Sequence, residues 1–163
     1  MTGGGEGPRY ALYSEIASGG MASVFFGRLR GPAGFSRVVA IKKLHPQFAR
    51  DPAFVAMLRD EARMASRVRH ANVVSTLDVV EDGDEFLLVM EYVAGEALSR
   101  LITTTHSWSE PVPVEVAVAI TAGALHGLHA AHEARADDGS PLGLVHRDVT
   151  PQNILVGADG VPR

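Results

Sequence analysis

Strand-like runs fill the first ninety residues of this chain, and helical periodicity takes over after Gly95. A change of hydrophobic period from about two residues to about 3.6 along one chain separates a sheet from helices. Tyr10 to Ile16, Val24 to Arg30 and Arg37 to Leu44 read as successive strands, the last rich in β-branched residues at Val38, Val39 and Ile41. The breaks between them are Ser18-Gly19-Gly20 and Gly31-Pro32-Ala33-Gly34. Links this short make an antiparallel meander. Val73 to Val80 and Phe86 to Met90 add two strands around the turn Glu81-Asp82-Gly83-Asp84. One main helix interrupts them, opening at Asp51-Pro52 with an N-cap carboxylate and a proline at the first helical position. Phe54, Leu58, Glu61, Ala65 and Val68 fall on one face of it. Glu61 is therefore expected in the apolar stripe, where a carboxylate needs a cation.

Beyond a linker near Met90 to Gly95, Ala97 to Thr104 predicts a short helix and Pro113 to Glu133 a long one. Val114, Val118, Thr121, Leu125, Leu128 and His132 lie along one side of the long helix. Ala136 to Gly143 is a polar insertion, Ile154 to Val156 a short strand, and Gly157-Ala158-Asp159-Gly160 a hairpin turn before a returning strand at Val161. The fold class is α+β: a five-stranded antiparallel lobe with one main helix, then the start of a mostly helical lobe. The segments are a flexible leader over 1–9, the sheet lobe over 10–90, a hinge over 91–96 and the helical lobe over 97–163.

The 163 residues suffice for one ordinary domain or two small lobes. A net charge of -4 gives no nucleic-acid footprint. The chain has no cysteine, which excludes disulfides, thiolate metal sites and thiol catalysis, and fits a reducing cytoplasm. No apolar run is expected to reach the length of a membrane span.

The residues that carry chemistry begin with His146-Arg147-Asp148-Val149-Thr150-Pro151-Gln152-Asn153. An Asp on a rigid loop can take the proton of an incoming hydroxyl, and an Asn further round the loop can hold a metal. The bland alternative is a polar turn that matches by accident. Val39-Ala40-Ile41-Lys42 puts Lys42 and Ala40 on one face of a strand, with the lysine fixed in the sheet. Alone, Lys42 would read as an exposed strand lysine. A Lys42–Glu61 pair would account for both residues, with His70 or a nearby arginine as other partners for Glu61. Ala17-Ser18-Gly19-Gly20-Met21-Ala22-Ser23-Val24 is a glycine-containing hairpin. Glycine there permits positive φ and close approach of backbone to a phosphate.

Taken in order, these elements resemble the protein-kinase catalytic domain, in the form found in bacterial Ser/Thr kinases, from about Tyr10 to Arg163. The resemblance implies transfer of the ATP γ-phosphoryl group to Ser or Thr hydroxyls of a protein, with ATP and magnesium (Mg2+) as cofactors. It implies Asp148 as catalytic base, Asn153 as magnesium ligand, Lys42 on the α/β-phosphates and Glu61 bracing Lys42. The loop Ala17, Ser18, Gly19, Gly20 would cover the phosphates. Val24, Ala40 and Leu155 would pack on adenine, Met90 would be the gatekeeper, and the backbones of Glu91 and Val93 would hold the adenine edge. His146 and Arg147 would be structural.

The pattern departs from the family in places. Ala17 and Ala22 stand at two glycine positions, and Thr150 replaces the lysine that Ser/Thr kinases place two residues after the base. Pro151 still favours the Ser/Thr branch. No D-F-G follows Asn153, and Asp159-Gly160 comes too early to be it. The expectation is weak ATP binding, no phosphoryl transfer and poor solubility for this stretch by itself. The alternative reading is a non-catalytic kinase-like binding module; a small-molecule phosphotransferase fits less well. His126, His129 and His132 step around the long helix and suit surface or packing roles better than zinc. Trp108 is expected to anchor packing.

Overall fold

The structure, a computed structural model, describes residues 9–108 and 111–163. The expected leader lies outside the described residues except for Arg9. The chain forms two compact units: residues up to Ala62 with Thr76–Tyr92, and Arg63–Ser75 with Val93–Arg163.

The first unit is a five-stranded antiparallel sheet in the order β1-β2-β3-β5-β4. Its strands are β1 (Tyr10–Ser18), β2 (Ala22–Arg30), β3 (Ser36–Leu44), β4 (Thr76–Asp82) and β5 (Glu85–Glu91). β4 starts later than expected because the chain turns at His70, whose carbonyl accepts from the Val73 amide at 3.1 Å. β1 is irregular against β2, with register shifts between Leu12 and Glu15 and between Glu15 and Ala17. β2 and β3 run in unbroken register, pairing Val24 with Lys42 and Phe26 with Ala40.

The sheet has two apolar faces, and alternation along each strand decides which residue goes where. Val39, Ile41, Leu87 and Val89 form one cluster, joined by Tyr10, Leu12, Leu29 and Val80. On the other face Ala22, Leu44 and Phe86 receive Phe54, Val55 and Leu58. These last three belong to α2 (Pro52–Ala65), which follows a one-turn helix α1 (Pro46–Ala49). Asp51 caps α2 as its sequence implies: Oδ1 accepts from the amides of Ala53 at 3.0 Å and Phe54 at 3.2 Å. That cap contributes about 1 kcal/mol.

The apolar stripe of α2 is rotated from the expected one. Ala62, not Glu61, is the buried residue of its last turns, and Glu61 is exposed. The stripe runs Phe54, Val55, Leu58, Ala62, a regular helical spacing that leaves Glu61 one position off the sheet.

In the second unit, β6 (Gly95–Ala97) pairs antiparallel with β7 (Leu155–Gly157). Gly95 is required here, since a Cβ would stand 2.1 Å from the Val156 carbonyl oxygen. The unit also holds α3 (Leu98–Ser107) and α4 (Val114–His132). The predicted apolar row of α4 is largely turned outward: Val114, Val118 and Leu125 are exposed, as are Thr121 and His132. Ile120 and Gly127 are buried instead. Small residues explain the switch. A Cβ at Gly127 would lie 2.3 Å from the Asn72 carbonyl oxygen, so glycine lets the 63–75 segment lie directly on the helix. Trp108 is 67% exposed, contrary to the expectation of a packing anchor.

Contrary also to the expectation about apolar runs, α4 is long and apolar enough to cross a membrane by length and composition, with a mean hydropathy of 1.3. Only 11% of that stretch is buried, and α4 meets the 63–75 segment through Gly127.

Candidate active site

Each unit carries part of the predicted site. In the first, cross-strand pairing aligns Val24 with Lys42 and Lys42 with Leu88; one step along, Phe26 lies opposite Ala40 and Ala40 opposite Met90. Directly opposed residues share a face. Val24, Ala40, Lys42 and Met90 are thus gathered on one side of β2, β3 and β5. Lys42 is exposed at the edge of this apolar patch.

Lys42 and Glu61 are not joined. Among the ion pairs of the described residues, Lys43 binds Glu85 and Arg59 binds Glu81, and none links Lys42 to Glu61. The cause is the rotated stripe of α2, which presents Ala62 to the sheet where Glu61 was expected.

The hairpin between β1 and β2 turns at Gly19–Met21, closed by the Gly19 amide donating to the Ala22 carbonyl at 2.9 Å. Neither Gly19 nor Gly20 has positive φ. A Cβ at Gly20 would meet nothing within 4 Å, and one at Gly19 would make only ordinary contact, 3.7 Å from the Ala22 oxygen. The fold itself does not require these glycines. Ala22 is buried in the sheet, whereas Ala17 and Ser18 are exposed.

The hairpin is anchored by residues that sequence reasoning missed. Ser23, the buried polar residue of this region, lies 3.0 Å by Oγ from the Ser18 hydroxyl and 3.3 Å from Nε2 of His45. The His45 amide also donates to the Met21 carbonyl at 3.0 Å. Only the β2–β3 register brings residue 45 beside residues 21 and 23, so no local motif could have flagged it. At the other end of the sheet, Phe26 meets Tyr92 edge to face with ring centroids 5.2 Å apart. Met90 and Glu91 are half-buried on β5.

In the second unit, the 146–153 loop is held by its own polar groups. Asn153 Nδ2 donates to Asp148 Oδ2 at 2.8 Å and to the Asp148 carbonyl at 3.0 Å. Both donor directions point at Asp148, which leaves Asn153 Oδ1 as a free acceptor. The Asp148 amide donates to His146 Nδ1 at 3.4 Å, and the Asn153 amide to the Thr150 carbonyl at 2.9 Å, closing a 3-10 turn over Pro151–Asn153. Arg147 sits at φ 63, in the left-handed region that a non-glycine residue rarely enters. Such a residue re-aims the next side chain, here Asp148, at a cost of order 1 kcal/mol. Asp148 and Asn153 are exposed.

β7 leads directly from this loop and carries the half-buried Leu155. Leu155 and Arg163 exchange backbone hydrogen bonds of 2.8 Å, so the returning segment closes as predicted. Arg163 Nη2 pairs with Asp159 Oδ2 at 2.7 Å. That arginine, with the Val161 amide, pulls the Asp159 carboxyl down to about 2. Val93, just before β6, is half-buried.

The first unit thus carries a strand lysine aligned with an apolar patch and a glycine hairpin, and the second an Asp–Asn loop. Residues 10–163 match the protein kinase domain family. The chain belongs to the protein kinase family. It is 38% identical over 151 residues to the tyrosine-protein kinase MasK of Myxococcus xanthus, covering 93% of this chain and 23% of that protein. It is 36% identical over 159 residues to the serine/threonine-protein kinase PksC of Streptomyces coelicolor, covering 95% and 27%. To the serine/threonine-protein kinase PknL of Mycobacterium tuberculosis it is 37% identical over 152 residues, covering 93% and 34%. The chain therefore spans about a third or less of these relatives. Among solved structures, a point mutant of the Mycobacterium tuberculosis PknI kinase domain superposes with a TM-score of 0.71 at 25% identity, covering 99% of this chain and 60% of that one. The α+β kinase fold expected from the sequence is the fold observed.

Proposed function

We propose that this chain supplies the nucleotide-handling strands and the catalytic loop of a protein serine/threonine kinase. The observation that carries the reading is the Asn153–Asp148 hydrogen-bond pair on a loop whose left-handed Arg147 presents Asp148 to solvent. In this reading the sheet lobe covers 10–90, the hinge 91–96 and the helical lobe 97–163. The protein works where ATP is available, in the cytoplasm.

Asp148 accepts the proton of a Ser or Thr hydroxyl as that oxygen bonds to the γ-phosphorus of ATP. The bond from that phosphorus to the bridging oxygen breaks, and ADP leaves. Lys42 holds the α/β-phosphates. Glu61 braces Lys42 once α2 turns by the one position that separates Glu61 from the buried stripe. The loop Ala17, Ser18, Gly19, Gly20 covers the phosphates, and the glycines are there for the ligand, because the fold has no steric need of them. Val24, Ala40, Met90 and Leu155 line adenine, with the main chains of Glu91 and Val93 at its edge.

The donor set suits magnesium. Asn153 Oδ1 is an exposed oxygen donor, the kind a hard cation takes. Among the described residues no group of three or more His, Cys, Asp or Glu gathers as a ready cage, which fits a cation that keeps waters and phosphate oxygens as ligands. Magnesium, when bound there, would neutralise charge on the phosphates.

A second reading, transfer to tyrosine, has two observations in its favour: MasK is named a tyrosine kinase, and Thr150 stands where Ser/Thr kinases carry lysine. The test is to supply radiolabelled ATP and peptides bearing Ser, Thr or Tyr to the full-length protein, then to identify the labelled amino acid. Phosphoserine or phosphothreonine supports the proposal, and phosphotyrosine alone supports the second reading. Tight nucleotide binding without any label would favour the non-catalytic binding module.

A further inference from the structure

The second unit contains an open recess of about 440 Å³ lined by Arg63, Ser66, Arg67, Arg69, Arg135 and Asp137. Four guanidinium groups thus meet one carboxylate, in a chain whose overall net charge is -4. A local reversal of sign inside a concave surface concentrates anions.

The recess already shows how it handles an oxyanion. Arg67 Nη1 donates to Asp137 Oδ1 at 2.7 Å and Nη2 to Oδ2 at 2.9 Å, the parallel fork that guanidinium makes with carboxylate or phosphate. These bonds, and the charges of Arg67 and then Arg63, hold the Asp137 carboxyl below its ordinary range. Asp137 reaches the fork from an exposed position, its side chain 91% accessible. Arg135 spends one donor on the Gly139 carbonyl at 2.9 Å. Among the described residues Arg63 and Arg69 have no ion-pair partner, and both are exposed. Cations held together at one recess repel one another, and an added anion relieves that repulsion.

We propose that this recess binds the phosphate group of a phosphorylated serine or threonine on a peptide segment. A phosphate dianion offers three acceptor oxygens, enough for Arg63 and Arg69 together with the remaining donors of Arg67 and Arg135. A carboxylate offers less charge and fewer oxygens, and Asp137 already supplies one. Nucleic acid would need basic residues strung along a backbone path rather than gathered at one recess. The choice of a phosphorylated peptide rests on the kinase reading, because kinases make such segments; the anion site itself does not.

The test is fluorescence anisotropy of the chain with a labelled phosphoserine peptide, its unphosphorylated twin and an oligonucleotide of equal charge, with inorganic phosphate as competitor. The phosphopeptide is expected to bind about tenfold or more tightly than its twin, the equivalent of a charge-assisted contact. R63A/R69A removes two exposed, unpaired side chains and should weaken it by about tenfold with an unchanged circular dichroism spectrum. D137N should tighten it severalfold by removing the competing carboxylate. Equal binding of the twin, equal binding by R63A/R69A, or an oligonucleotide that matches the phosphopeptide would each overturn the proposal. Inorganic phosphate that competes as strongly as the peptide would assign the site to free phosphate instead and overturn the peptide assignment. None of these readouts uses phosphoryl transfer, so their failure leaves the kinase reading standing, and failure of the kinase reading leaves them measurable.

Discussion

The Asn153 side-chain amide donates both to the carboxylate of Asp148, at 2.8 Å, and to its main-chain carbonyl, at 3.0 Å. One side chain thereby fixes the orientation of the proposed base and keeps its own oxygen for a cation. Asn153→Ala should lower kcat by about 100-fold or more, within the range attributed to positioned acid–base groups. Asn153→Asp sets two carboxylates side by side and should be as damaging. Single-turnover kinetics of the full-length enzyme will check both, with thermal melts to confirm folding.

Gly20 meets no steric demand in the fold, since a Cβ there has nothing within 4 Å. Gly20→Ala should leave stability within about 0.5 kcal/mol, as expected for a surface change. It should nevertheless raise the dissociation constant for ATP, because the methyl group intrudes where backbone is proposed to approach phosphate. Chemical denaturation and calorimetric titration on the same variant separate the two effects.

Ser23 is buried and shared between Ser18 and His45. Ser23→Ala removes that link and should cost about 1 kcal/mol. Hydrogen exchange should quicken in the 18–23 hairpin while the α4 amides stay as protected as before.

Gly127 packs against the Asn72 carbonyl, with 2.3 Å to the position of a Cβ. The obstacle is backbone, which cannot swing aside. Gly127→Ala should therefore destabilise by about 1–3 kcal/mol, as overpacking does, despite alanine's better helix propensity. A urea titration reads the change directly.

The Asp159 carboxyl is lowered to about 2 by Arg163 and the Val161 amide. A depressed folded-state pKa contributes stability that is present above the ordinary carboxylate range and lost as pH falls through about 2. The turn after β7 should thus hold at pH values just below the ordinary carboxylate range and loosen in stronger acid. Arg163→Ala should move the Asp159 midpoint, followed by carboxyl carbon NMR, up toward its ordinary value.

The strands, the Asp51 cap and the 146–153 loop are legible in the sequence because each is specified locally. Alternating β-branched residues, a capping carboxylate before proline and a contiguous motif need no tertiary information. The faces of the helices are not legible in the same way. Steps of three and of four are both helical, so periodicity alone admits Glu61 to the stripe of α2, and only the sheet selects Ala62 instead. The buried face of α4 centres on Ile120 and Gly127, off the expected row, and a search for large apolar residues passes over the glycine. His45 reaches Ser23 through strand register, and the arginine recess draws its members from segments far apart in the chain, so neither leaves a local signal.

The role of Asp148 as the base for phosphoryl transfer is tested most directly by comparing label transfer from radiolabelled ATP to a Ser/Thr peptide by the full-length protein and its Asp148→Asn variant. The variant is expected to fold and to bind ATP but to transfer about 100- to 10,000-fold more slowly. Transfer by Asp148→Asn at the rate of the unaltered protein would contradict that role.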